Sequence, residues 1–144
     1  LVFLDYAHTP DGLKQALAAI RQHYKGRKLI CLFGCGGDRD ISKRSVMGKI
    51  ASDIADEIIL TNDNPRQEDP ETIIRDIASG ILGDYRSELD RTRAIHRTIS
   101  EAAQEDVILI AGKGREAFQE ISSKKIPYED FKVISRALGE LEDA

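Results

Sequence analysis

Cysteine is scarce in this chain of 144 residues: there are two, Cys31 and Cys35. Their spacing is neither the Cys-x-x-Cys of a redox motif nor a zinc-ligand pattern, so both read as reduced thiols and not as a disulfide or metal scaffold. Long apolar runs are also missing. None approaches the roughly 20 residues needed to span a bilayer, and Leu1–Leu4 is short and without the basic leader of a signal peptide. Positive charge is not in excess. The formal net charge is -4, so no basic stripe exists to release counterions from a nucleic-acid backbone. No G-x-x-x-x-G-K-[ST] phosphate loop occurs, and no Ser/His/Asp or Cys/His set stands out for nucleophilic catalysis. His23 and His96 lack a metal partner at ligand spacing. Nucleic acid, membrane and a resident metal are therefore not expected as partners of this chain.

What is present is ordinary for a globular domain: 41% hydrophobic and 32% charged residues. This length can bury one core without disulfides. The chain opens on an apolar run at Leu1, with no Met, and reads as a piece of a longer protein.

Four apolar runs of strand length occur: Leu1–Leu4, Leu29–Phe33, Ile58–Leu60 and Val107–Ala111. They are continuous, not alternating, as in strands covered on both faces. Segments of helical period lie between them, with stripes at Leu13/Ala16/Leu17/Ile20/Tyr24, Met47/Ile50/Ala51/Ile54, Ile73/Ile74/Ile77/Ala78/Ile81 and Ile95/Ile99/Ala102/Ala103. A closing helix is expected from Phe131, Ile134, Leu138 and Leu141. Phe118–Ile121 and Lys125–Tyr128 suggest a hairpin that adds an antiparallel edge strand. Alternation of strand and helix gives an α/β, Rossmann-like, doubly wound sheet that is mainly parallel.

In such a sheet ligands bind beyond the carboxyl ends of the strands. The segments that follow the runs are Asp5–Pro10, Gly34–Asp40, Thr61–Arg66 and Gly112–Glu116, and glycine and paired charges gather in them. Gly34-Cys35-Gly36-Gly37 fails the dinucleotide fingerprint because Arg39 stands where its last glycine belongs. It reads either as a tight turn needing positive φ or as a place where a ligand approaches the backbone. Asp63-Asn64-Pro65-Arg66 is either an Asn-Pro turn or a rigid recognition loop in which Arg66 offers a fork and Asp63 an acceptor. Lys113 either meets phosphate or points to water. Arg39, Arg66, Asp63 and Glu116 together suit a ligand with carboxylates and an ammonium, such as an amino acid or a diamino diacid.

Taken in order, Asp5-Tyr6-Ala7-His8-Thr9-Pro10, Phe33–Asp40, Asp63–Arg66 and Ala111-Gly112-Lys113-Gly114 resemble the C-terminal domain of the Mur ligases over residues 1–144. The resemblance is to the type that adds meso-diaminopimelate. It implies a bacterial cytoplasmic, monomeric enzyme of peptidoglycan synthesis. Such an enzyme uses ATP and Mg²⁺ to activate UDP-MurNAc-L-Ala-D-Glu as an acyl phosphate, which the incoming amine attacks. It also implies two upstream domains, a first that binds the UDP sugar and a central ATPase domain that carries the phosphate loop and most Mg²⁺ ligands, so this domain alone is expected to be inactive and to hold no catalytic residue. The resemblance assigns meso-diaminopimelate contacts to Arg39, Asp63, Asn64, Pro65, Arg66, Gly112 and Glu116. It puts Asp5, His8 and Lys43 on the ATP side. Arg115 stands where the family often has histidine and receives no role; Ser45 replaces a common proline. A lysine-adding ligase, a folylpolyglutamate synthetase domain and a non-catalytic binding module of the same fold are the alternatives.

Overall fold

A computed structural model describes residues 1–143. The chain alternates β1 (Val2–Asp5), α1 (Pro10–His23), β2 (Leu29–Phe33), α2 (Ser42–Ile54), β3 (Glu57–Leu60), α3 (Pro70–Ala78), β4 (Arg86–Ser87), α4 (Arg91–Glu101) and β5 (Val107–Ala111). It then forms β6 (Phe118–Ile121), β7 (Lys124–Pro127) and α5 (Asp130–Asp143). Helix starts are chemically marked. Thr9 Oγ1 accepts from Gly12 N at 3.1 Å, Asp69 Oδ1 from Glu71 N at 3.1 Å and Asp90 Oδ1 from Arg93 N at 3.1 Å. Pro10 and Pro70 open α1 and α3, where a missing N–H costs nothing.

The five-stranded sheet has the order β1-β5-β2-β3-β4, and every pairing in it is parallel. Alternate strand residues serve opposite faces. Cys31, Phe33, Leu60 and Leu109 pack against α1, α2 and α3. Leu32, Ile59, Ile108 and Ile110 pack against α4 and α5. This two-sided burial is why the runs lack alternation. Cys31 and Cys35 are buried and free, and burial pushes both thiols up to about 12.

Three expectations need correction. The hairpin forms, but its antiparallel strands pair with each other and not with an edge of the main sheet. The closing helix buries Val133, Ile134 and Ala137, while Phe131 and Leu138 are half exposed. Reading the large side chains placed that stripe a position off, because smaller Val and Ala fit the tight contact with α4. Ile81 and Ala103 lie beyond the ends of α3 and α4. Arg86–Ser87, which no apolar run marks, supplies β4, a short parallel edge strand beside β3.

Candidate functional site

The connections after β2 and β5 leave the sheet toward opposite faces, so their carboxyl ends diverge and open a crevice. A cavity of about 380 Å³ lies there. Arg39, Asp63, Asn64, Arg66, Gly112 and Glu116 line it, as do His8 and Lys43. Two other expected residues fall outside the lining. Pro65 is buried, with its carbonyl against Gly37. Asp5 turns the chain locally, its Oδ1 accepting from Ala7 N at 2.8 Å.

The glycine turn is explained by neither of its two readings in full. None of Gly34, Gly36 and Gly37 has positive φ. A Cβ on Gly37 would instead collide with the Pro65 carbonyl, because the two loops touch. Gly37 N donates to Asn64 O at 2.7 Å, and Arg66 Nη1 donates to Gly37 O at 3.0 Å. Gly112, by contrast, does take φ 115, and an added Cβ would sit 2.9 Å from Asp63 Oδ2.

Lys113 neither reaches solvent nor lines the cavity. Its side chain is 0% exposed. Its Nζ donates to Asn64 Oδ1 at 2.6 Å and to Phe118 O at 3.1 Å, and lies 3.2 Å from both Asp63 Oδ1 and Glu116 Oε1. The two cavity carboxylates therefore share one buried cation. Glu116 also meets Tyr6, whose hydroxyl donates to its Oε2 at 3.3 Å; the Glu116 charge raises the Tyr6 phenol above its ordinary value. Arg66 sits in the left-handed region at φ 53, and its Nε lies 3.2 Å from Glu120 Oε2. Such a backbone costs a β-carbon-bearing residue roughly 1–2 kcal/mol. Arg39 is exposed, and Lys43 Nζ donates to His8 O at 3.1 Å, tying the first turn of α2 to the loop before α1. Arg115 lies away from the cavity, 5.2 Å from the Phe131 ring centroid.

Two buried arginines brace the rim. Arg44 is 0% exposed and donates to Glu68, Asp76 and Gly36 O, at 2.6, 2.9 and 3.1 Å. Arg91, also 0% exposed, pairs with Asp130 and donates to Asn62 O and Ala111 O, joining the ends of β3 and β5. Neither carried a signal in sequence, where a lone arginine in a helix reads as surface. Glu68 is held below its ordinary value of 4.5, chiefly by its hydrogen bond from Arg44. A carboxylate lowered in the fold stabilises above its unfolded value and loses that contribution as pH falls through the folded one. Glu68→Gln is therefore expected to lower stability at pH 7 and to flatten the acid limb of a thermal-melting profile as pH falls below the ordinary value of 4.5. A parallel acid limb would show the pair to be idle.

Residues 1–114 match the family model described as "Mur ligase, glutamate ligase domain". The chain belongs to the Mur ligase family. The match ends before the β6–β7 hairpin. A UDP-N-acetylmuramoyl-L-alanyl-D-glutamate--2,6-diaminopimelate ligase of Alkalilimnicola ehrlichii is 49% identical over 99% of this chain, and one of Prochlorococcus marinus strain NATL2A is 52% identical over 96%. This Mur ligase domain spans about 29% and 28% of those two relatives. A solved structure of a ligase of that name superposes with a TM-score of 0.92 at 40% identity, over 98% of this chain and 29% of the other. A folylpolyglutamate synthase of Mycobacterium tuberculosis shares the fold at a TM-score of 0.59 with 19% identity, over 97% of this chain and 29% of the other. No helix among the described residues is long and apolar enough to cross a membrane, and no group of three His, Cys, Asp or Glu could hold a metal ion.

Proposed function

We propose that this chain is the amino-acid-binding domain of a bacterial cytoplasmic ligase that joins meso-diaminopimelate to UDP-MurNAc-L-Ala-D-Glu. The observation that carries the reading is a cavity whose wall combines Arg39 and Arg66 with Asp63 and Glu116. Meso-diaminopimelate has two amino-acid heads. Arg66 and Arg39 meet the distal carboxylate, while Asp63 and Glu116 accept from ammonium groups. Gly112 leaves room beside Asp63. Asn64 and Pro65 act as scaffold: the Asn64 carbonyl oxygen is already taken by Lys113 and by Glu120 N. Lysine lacks the distal carboxylate and would leave the arginines without their partner. A site built for a polar group rejects an analogue lacking it by a factor on the order of 10⁴. The two diaminopimelate ligases that the chain resembles at 49% and 52% identity support this substrate.

ATP supplies the phosphoryl group that activates the glutamate carboxyl. The residues present do not fit Mg²⁺, since the described residues contain no metal-holding cluster and the chain has no phosphate loop. We assign ATP and Mg²⁺ mainly to a central domain, and the UDP sugar to a further domain, of the full ligase, in keeping with the 29% share of the relatives' length. His8 and Lys43 line the same cavity near the starts of α1 and α2, and we assign them to its ATP side. This chain's own part in the reaction is to hold the diamino acid so that one free amine meets the activated carbonyl.

In the full-length ligase, Arg66→Ala is expected to raise the KM for meso-diaminopimelate at least about tenfold, because a charge-assisted pair contributes roughly 1.5–3 kcal/mol. A product assay with meso-diaminopimelate and with lysine tests both claims. An unchanged KM would remove Arg66 from the site, and equal use of lysine would favour a lysine-adding enzyme.

A further inference from the structure

We infer that the β6–β7 hairpin is the specificity-positioning element of this site, with Glu120 as the residue that aims Arg66; this rests on Arg66 meeting the ligand. The residues of the recognition loop that face the hairpin are held by it. Gln119 Nε2 donates to Asp63 O at 2.9 Å. Glu120 N donates to Asn64 Oδ1 at 2.9 Å. Arg66 is gripped on both sides: its N donates to Glu120 O at 3.0 Å, and its carbonyl accepts from Ser122 N at 2.8 Å. Those two bonds form the parallel bridge between Arg66 and Ile121. They hold Arg66 in its left-handed backbone conformation, which persists only where neighbours over-determine it.

The side chain is aimed in the same way. Glu120 Oε2 lies 3.2 Å from Arg66 Nε, with the two side chains 26% and 18% exposed. Arg66 Nη1 donates to Gly37 O at 3.0 Å. Nη2 makes no hydrogen bond among the described residues. The ion pair holds Glu120 against Nε, and Nη1 is bonded to the glycine turn, which leaves Nη2 for a carboxylate in the cavity. The hairpin can act as a strut because its turn is rigid. Ser122 and Ser123 take φ 50 and 67, the two positive values that a tight two-residue loop requires. Gln119 is 8% exposed, which anchors β6 beneath the recognition loop.

Glu120 does not contact the diamino acid; it acts through Arg66. The test is steady-state kinetics of the full-length ligase carrying Glu120→Ala, Glu120→Gln, Arg66→Ala and Arg66→Ala/Glu120→Ala. Glu120→Ala is expected to raise the KM for meso-diaminopimelate about tenfold, with kcat at saturation changed less than twofold. Glu120→Gln keeps the side-chain shape and the backbone bonds to Arg66 and Asn64 but removes the charge that pairs with Nε, so its KM is expected to rise at least about threefold. In the double variant the KM should match that of Arg66→Ala alone, since coupled residues are not additive. If Arg66→Ala raises the KM but Glu120→Ala leaves it unchanged or lowers it, the positioning role is overturned. So is it if the two effects multiply. An unchanged KM in Arg66→Ala would instead strike down the assignment of Arg66 itself. Thermal melting of each variant separates a folding defect from these outcomes, and Glu120→Gln keeps the test decisive if the alanine variant does not fold.

Discussion

Asp130→Ala is expected to destabilise this domain by about 3–5 kcal/mol, the usual consequence of removing one partner of a buried ion pair. Asp130 and Arg91 are each 0% exposed. Arg91 Nε and Nη2 donate to the two carboxylate oxygens at 2.8 and 2.7 Å, and Tyr128 OH donates to Oδ1 at 2.5 Å. Burial, with Asp130 alongside, raises the Tyr128 phenol well above its ordinary value, so the hydroxyl stays a donor. Without the carboxylate the guanidinium remains buried, with only Asn62 O and Ala111 O as partners. A domain has a total stability of about 5–15 kcal/mol, so the loss is a large share. Urea denaturation measures it as a fall in midpoint at constant slope. The double change Arg91→Met/Asp130→Leu is expected to recover most of the loss, because it removes the stranded charge as well. A fall below about 1 kcal/mol for Asp130→Ala would mean that water reaches the guanidinium in solution.

Lys113→Met should be as costly to the fold and costlier to the site. The ammonium is the shared counter-charge of Asp63 and Glu116, and it also satisfies Asn64 Oδ1 and Phe118 O. A methionine fills similar space but leaves two carboxylates facing each other and the buried Phe118 carbonyl unpaired. We expect a destabilisation of about 3–5 kcal/mol by the same rule. In the full-length ligase we expect kcat/KM for meso-diaminopimelate to fall more than in Arg66→Ala. The reason is that Asp63, Asn64 and Glu116 lose their registration together. Lys113→Arg is expected to fail too, since a larger planar fork does not fit a fully buried point-charge site. Denaturation and product kinetics on both variants check this. A kcat/KM within a factor of about three of wild type for Lys113→Met would mean the loops keep their geometry without it.

The sheet was legible from continuous apolar runs, and the site from where those runs stop. Arg39, Asp63, Arg66, Gly112 and Glu116 reach one cavity because parallel strands deliver their carboxyl ends to one edge. Lys113 was not legible. Between two glycines it reads as meeting phosphate or pointing to water, and only the approach of the 63–66 loop and the hairpin encloses it. Arg44 and Arg91 were missed for a related reason. Helical periodicity reports which positions face inward, but charge argues against burial unless the partner is known. Glu68, Asp76 and Asp130 are 24, 32 and 39 residues distant in sequence. Asn64 lines the cavity as expected, but its side-chain oxygen accepts from Lys113 and from Glu120 N, and its amide nitrogen donates to Glu116, contacts that no local pattern announces.

The sequence by itself determined the fold class, the edge on which the charged loops gather, and the family, because these depend on local pattern and on motifs whose order along the chain is preserved. Tertiary structure alone decided which charges are free and which are spent. Arg39 is exposed, whereas Lys113 is consumed by Asp63, Asn64 and Glu116, and Arg66 is half committed to Glu120 and Gly37. The physical reason is that a buried charge must find its partner wherever the fold brings one. Those partners lie on separate loops that meet only when the sheet closes.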